Sequence, residues 1–141
     1  MKLVLDSCVA FKWEVVEPDT DKARRLRDDF RKGAIELLAP DFFPVEAAHA
    51  ITRAERQGRL TPAEGASALA ALLTDLPNLH ASLPLLPRAY AISSAARIGV
   101  YDCVYVALAE REKCDFVTSD SKLLTNLGPQ FPFIKALSSL P

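Results

Sequence analysis

Short apolar runs alternate along this chain with stretches of helical period, and that alternation constrains the fold more than any other feature. Lys2–Leu5 (KLVL), Ile35–Ala39 (IELLA) and Asp115–Thr118 (DFVT) are brief and largely apolar. Runs of that length read as strands buried on both faces. The first is followed by a short helix, Ser7–Trp13. A longer helix covers DKARRLRDDFRKG, capped by Asp19 or Thr20, with Ala23, Leu26 and Phe30 on one face and Gly33 at its end. Another starts at Asp41 and Pro44 and runs to Gly58, with Ala47, Ala48, Ile51 and Ala54 as its apolar stripe. Thr61–Pro62–Ala63–Glu64 is a capping box for a helix that continues to about Leu73.

The Leu79–Leu86 segment is ambiguous, because Pro84 and Pro87 break its pattern. A helix from about Arg88 to Arg97 ends at Gly99. Val100–Tyr101–Asp102 then opens a nearly all-apolar helix, DCVYVALAERE. Asp120 starts a short helix, SKLLTNL, and Phe133–Lys135 reads as a last edge strand. Strands alternating with helices predict an α/β fold: a three-layer α/β/α domain with a mainly parallel central sheet. The 141 residues suit one compact domain, and no internal repeat, low-complexity segment or linker divides residues 1–141.

Hydrophobic residues make up 50% and charged residues 25% of the chain, an ordinary globular composition. The net charge of −1 offers no global attraction for nucleic acid, so any basic surface must be local. Cys8, Cys103 and Cys114 form no CxxC pair, which argues against a disulfide framework or a structural zinc site. The apolar run in MKLVLDSC is too short for a secretory segment, and no stretch approaches a membrane span. A cytoplasmic protein with reduced thiols is the expectation.

Four carboxylates carry the chemical signal. Asp6 and Asp120 follow predicted strands, while Glu46 and Asp102 lie in the first turns of predicted helices. Those positions meet at the carboxyl edge of an open α/β sheet. Each acid alone fits an ordinary cap or loop. Four together repel one another and call for a cation, and hard oxygen ligands suit Mg²⁺ or Mn²⁺ and phosphoryl chemistry. Ser7, Thr118 and Ser119 add hydroxyls beside the acids. Lys12 is the basic residue expected nearest Asp6.

Other features have competing explanations. Glu46 and His49 share the E-x-x-H spacing of di-iron bundles, but that site needs a second copy and an all-α fold. His49 is either a neighbour of the site or an ordinary helix histidine. The arginines crowding 24–31 and 53–59 are interleaved with Asp21, Asp28, Asp29 and Glu55, the pattern of a solvated, ion-paired face; phosphate or protein contact is the alternative. Trp13 suits a core or interface better than a base-stacking platform. Glu17 fits either the surface or the crevice. No GxSxG, P-loop, HExxH or GxGxxG is present, which leaves acyl transfer, P-loop hydrolysis, zinc proteolysis and dinucleotide binding without support.

Read together, the motifs resemble the PIN-domain nucleases, and among them the VapC-type toxins of bacterial toxin–antitoxin pairs. The likeness covers essentially the whole chain. LDSCVAFKW resembles the family opening and brings Asp6 and Ser7; Lys12–Trp13 with Glu17 resembles one subgroup. PDFFPVEAAHAI resembles the second motif, YDCVYVALAE the third and FVTSDSKLL the fourth. They bring Glu46, Asp102, Thr118 and Asp120. His49 stands where Asn is frequent, and Cys103 where Ala is usual.

The resemblance implies a Mg²⁺- or Mn²⁺-dependent endoribonuclease with Asp6, Glu46, Asp102 and Asp120 as catalytic, metal-binding acids. Ser7, Lys12, His49, Thr118 and Ser119 would stand around them or touch substrate. It further implies an RNA substrate such as tRNA or rRNA, a small antitoxin partner and a homodimer, with no membrane association. Two rivals remain at this point. One is a non-catalytic RNA- or protein-binding module on the same fold. The other is a phosphoacceptor domain, which would need a pair of acids after the first strand, where only Asp6 stands.

Overall fold

The computed structural model describes residues 1–141. In chain order the elements are β1 (Lys2–Leu5), α1 (Ser7–Glu14), α2 (Thr20–Arg31), β2 (Glu36–Pro40), α3 (Phe43–Arg56), α4 (Pro62–Leu73), β3 (Asn78–His80), α5 (Leu86–Ala96), α6 (Val100–Glu112), β4 (Asp115–Thr118), α7 (Ser121–Leu127) and β5 (Ile134–Ala136). The five strands form one sheet in the order β3-β2-β1-β4-β5, and every pairing is parallel. The seven helices flank it, so the expected α/β/α layering with a parallel sheet is present.

Strand burial follows from this order. β1 lies at the centre, where Val4 pairs with Leu38 on one side and Phe116 on the other. Helices cover both faces, so Val4, Leu5, Leu37, Leu38, Phe116 and Val117 are all fully buried. That is why these strands read as continuous apolar runs rather than alternating ones. α6 packs on β1, β2 and β4. Its residues from Cys103 to Ala109 are all buried, which accounts for the apolar run over two helical turns. On the other side of the chain's path α1 packs against α2, α3 and α4. Trp13 belongs to this core: it is buried, and its Nε1 donates to the Ala23 carbonyl at 2.9 Å.

The chain steps from β1 to β2 to β3 in one direction, then crosses back through α5 and α6 to β4. The direction therefore reverses between β1 and β4. Such a switch point opens a crevice at the carboxyl ends of the two strands. Asp6 directly follows β1, and Asp120 stands two residues beyond β4.

Gly33 and Gly58 end α2 and α3 with positive φ, as the helix-stop reading required. Thr61 and Glu64 close the capping box of α4 with bonds of 2.9 and 3.1 Å. Several boundaries differ from expectation. The ambiguous segment holds part of an edge strand, β3, then a turn of 3₁₀ helix at Leu83–Leu85 before α5 begins at Leu86. An exposed edge strand needs no apolar face, so it left no pattern. Asp41 does not cap α3; its carboxylate instead accepts the Ser82 N–H at 3.2 Å. α6 begins at Val100 after Gly99, which places Asp102 inside its first turn.

Candidate active site

Asp6 caps α1, accepting the Cys8 N–H at 3.4 Å, while its other oxygen accepts the Thr118 hydroxyl at 2.7 Å. Both residues are buried. Asp120 caps α7, accepting the N–H groups of Lys122 at 3.0 Å and Leu123 at 3.2 Å. The Asp120 N–H in turn donates to Thr118 Oγ1 at 3.0 Å. The threonine at the end of β4 thus ties the acid after β1 to the acid after β4. Ser119 Oγ lies 3.2 Å from Cys8 Sγ, so the second hydroxyl steadies the turn rather than an acid. Burial, and next the Asp6 charge, push the Cys8 thiol up to about 12, so it stays a protonated thiol.

Glu46 projects from the first turn of α3 and accepts the Tyr105 hydroxyl at 2.7 Å and the Ser7 hydroxyl at 3.3 Å. Tyr105 is buried, stacked on Phe116 at 5.3 Å between ring centroids and edge-on to Phe42 at 5.7 Å. The sequence reading missed this tyrosine. Its signal was present: a hydroxyl inside an otherwise apolar helix needs a partner when buried. Asp102, one turn earlier on α6, is half-buried, and no hydrogen bond contributes to its environment.

The acids feel one another. Burial chiefly, with Glu46 adding to it, raises Asp6 to about 6 even though Thr118 and Cys8 donate to it. Burial, then Asp6 and Asp120, raise Asp102 to about 6. Glu46 is also raised, by burial and by Asp102, against the pull of Tyr105 and Ser7. No lysine or arginine counts among these influences. At the same time, no three of the acids close into a ready-made cation cage. Asp6, Glu46 and Asp120 are each hydrogen-bonded to donors of their own.

The basic residues that the sequence singled out are largely ion-paired. Lys12 is buried and pairs with Glu17 at 3.3 Å, and Glu17 also pairs with Arg59 at 2.9 Å. This places Glu17 in a structural ion cluster. Arg27 and Arg31 of α2 pair with Glu14 at 3.5 Å and Asp75 at 2.6 Å, as an ion-paired surface would. Two hollows adjoin the acids instead. One, of about 150 Å³, is lined by Asp102, Asp120, Arg97, Lys122 and Asn126. The other is lined by Ser7, Glu46, His49, Phe42 and Tyr101, with His49 exposed at its rim. The α/β fold gives Glu46 and His49 no partner helix bearing a second E-x-x-H, so a di-iron bundle is excluded.

Comparison with known proteins bears on the fold and the family. Residues 3–126 match the family model described as the PIN domain. The chain is 30% identical over 125 residues to Ribonuclease VapC3 of Pyrobaculum aerophilum, spanning 87% of this chain and 92% of that protein. The fold is similar to the crystal structure of PAE2754 from Pyrobaculum aerophilum, with a TM-score of 0.70 and 20% identity, covering 99% of this chain and 94% of that one.

Proposed function

The chain belongs to the PIN-domain family, and on that premise we propose that it is a Mg²⁺- or Mn²⁺-dependent endoribonuclease, the toxin of a toxin–antitoxin pair. The observation that carries this reading is the set of four carboxylates about the β1/β4 switch point, whose shifts come from burial and from one another and not from any lysine or arginine. The kinship with a ribonuclease named VapC3 supports RNA as substrate.

The donor set fits a hard divalent ion. Asp6, Glu46, Asp102 and Asp120 offer only oxygen, and the ionised forms of Asp6 and Asp102 are disfavoured chiefly by burial, with Glu46 adding to it at Asp6, and Asp6 and Asp120 at Asp102. Together they would hold the ion once their side chains rearrange to converge on it. When bound, such an ion supplies Lewis-acid stabilisation of phosphoryl oxygens and makes water more acidic. The remaining work belongs to the chain. Thr118 orients Asp6, Tyr105 and Ser7 orient Glu46, and the first N–H groups of α7 orient Asp120. Asp102 keeps its oxygens uncommitted. Burial of Asp6 and Thr118 limits competing water at the inner side of the crevice.

The protein would act in the cytoplasm on tRNA or rRNA, as a homodimer held inactive by a small antitoxin. No helix is long and apolar enough to cross a membrane. The test is incubation of purified protein with total RNA in Mg²⁺, in Mn²⁺ and in EDTA, with Asp6→Asn as control. Discrete fragments that require the ion and vanish in the variant are expected. RNA left intact in all conditions by folded, antitoxin-free protein would contradict the reading.

A further inference from the structure

A crevice walled by acids repels the polyanion it is meant to cut, and this chain's net charge of −1 provides no general attraction to offset that. Cations must therefore stand close to the acids, and free to bind. Lys12 and the α2 arginines Arg27 and Arg31 do not qualify, since each is committed to a carboxylate. The hollow beside Asp102 and Asp120 is different. Arg97 and Lys122 line it, both exposed, and their side chains make neither an ion pair nor a hydrogen bond. They come from separate elements, Arg97 from the end of α5 and Lys122 from the start of α7, and the fold brings them to one wall.

We propose that Arg97 and Lys122, with the Asn126 amide beside them, form a subsite that holds an RNA phosphate next to the one being cut. The inference rests on the ribonuclease reading above and deepens it. The hollow of about 150 Å³ has room for a phosphate group. Arg97 presents a planar fork of donors and Lys122 a point charge, the two forms in which proteins bind phosphate oxygens. Because the contact is to the backbone, it sets the register of the strand and carries no base preference.

The backbone supplies a clean test. Arg97 has φ of 60°, the left-handed conformation at a helix end that favours glycine. Arg97→Gly therefore removes the charge while suiting the fold. Lys113 has φ of 53° at the end of α6, ahead of β4 and away from the crevice, and is likewise unpaired. Lys113→Gly removes the same charge from the same kind of position.

The measurement is fluorescence anisotropy of a short fluorescein-labelled single-stranded RNA in EDTA, over a range of salt, with the full-length protein and its variants. Arg97→Gly and Lys122→Gln should each weaken binding by about tenfold, the order expected of one charged hydrogen bond. Each should flatten the dependence of log affinity on log salt by about 0.7, the release from one phosphate contact on a single strand. Lys113→Gly should change neither. Equal effects of Arg97→Gly and Lys113→Gly, or no RNA binding by the unmodified protein, would overturn the subsite. Cleavage of total RNA, measured alongside, separates the two ideas. Cleavage that is insensitive to Arg97 and Lys122 keeps the nuclease and removes the subsite. Variant-sensitive binding without cleavage does the reverse.

Discussion

The Thr118 hydroxyl donates to Asp6 at 2.7 Å, and Thr118 has no surface exposed to solvent. The same oxygen accepts the Asp120 N–H at 3.0 Å. One hydroxyl therefore positions the two acids that flank the β1/β4 switch point. Thr118→Val keeps the shape but strands both partners. It should destabilise the protein by about 1–3 kcal/mol, the cost of an unsatisfied buried polar group. Thr118→Ser should recover most of that. Urea unfolding of the three proteins checks this, and equal stability of Thr118→Val and the parent would contradict it.

Tyr105 holds Glu46 from beneath, at 2.7 Å, while its ring stays stacked on Phe116. Tyr105→Phe removes the donor alone. A stability change of about 1 kcal/mol is expected, since one ordinary hydrogen bond is lost and the packing stays. Because Tyr105 is fully buried and would act through Glu46, kcat for RNA should fall while KM holds. A raised KM with unchanged kcat would instead place Tyr105 in substrate binding.

The acids also predict a pH response. Asp6 and Asp102 rise from 3.8 to about 6 in the folded protein without a bound ion. The unfolded chain ionises first, so stability falls as pH climbs from about 4 to 6 and stays low above that. For Asp6 alone the full penalty is about 3 kcal/mol at neutral pH. In EDTA the melting temperature should therefore be higher at pH 5 than at pH 7.5. Added Mg²⁺ should raise it at pH 7.5 and do little at pH 5, where protons compete for the same oxygens. Equal melting at both pH values, unmoved by Mg²⁺, would count against a strained acid cluster.

Glu17 belongs to the scaffold. It is shared between buried Lys12 and exposed Arg59. Glu17→Gln leaves a buried ammonium with a weaker partner, and a loss of about 1–3 kcal/mol is expected. The specific rate of RNA cleavage by the folded protein should not change. A selective loss of cleavage at unaltered stability would return Glu17 to the crevice.

What the sequence revealed followed burial. KLVL, IELLA and DFVT announced three strands because the sheet centre is covered on both faces and admits only apolar residues. Asn78–His80 did not, because an exposed edge imposes no pattern. The four acids stood out by their places at strand and helix ends. Ser7 and Thr118 were legible as hydroxyls beside them, but Tyr105 is hidden in an apolar run, and Arg97 occupies a position where glycine is the expected residue. Lys12 was conspicuous beside the first motif, yet only the fold brings Glu17 and Arg59 to it.

Asp102 is the acid that nothing on the chain hydrogen-bonds and that two like charges oppose, which makes it the sharpest test of the proposed site. The most direct test is the RNA cleavage rate of Asp102→Asn in Mg²⁺, measured beside its melting temperature. Loss of cleavage in a variant that melts no lower than the parent is the predicted result. Cleavage at the parent's rate by that well-folded variant would contradict the assignment of this crevice as the active site.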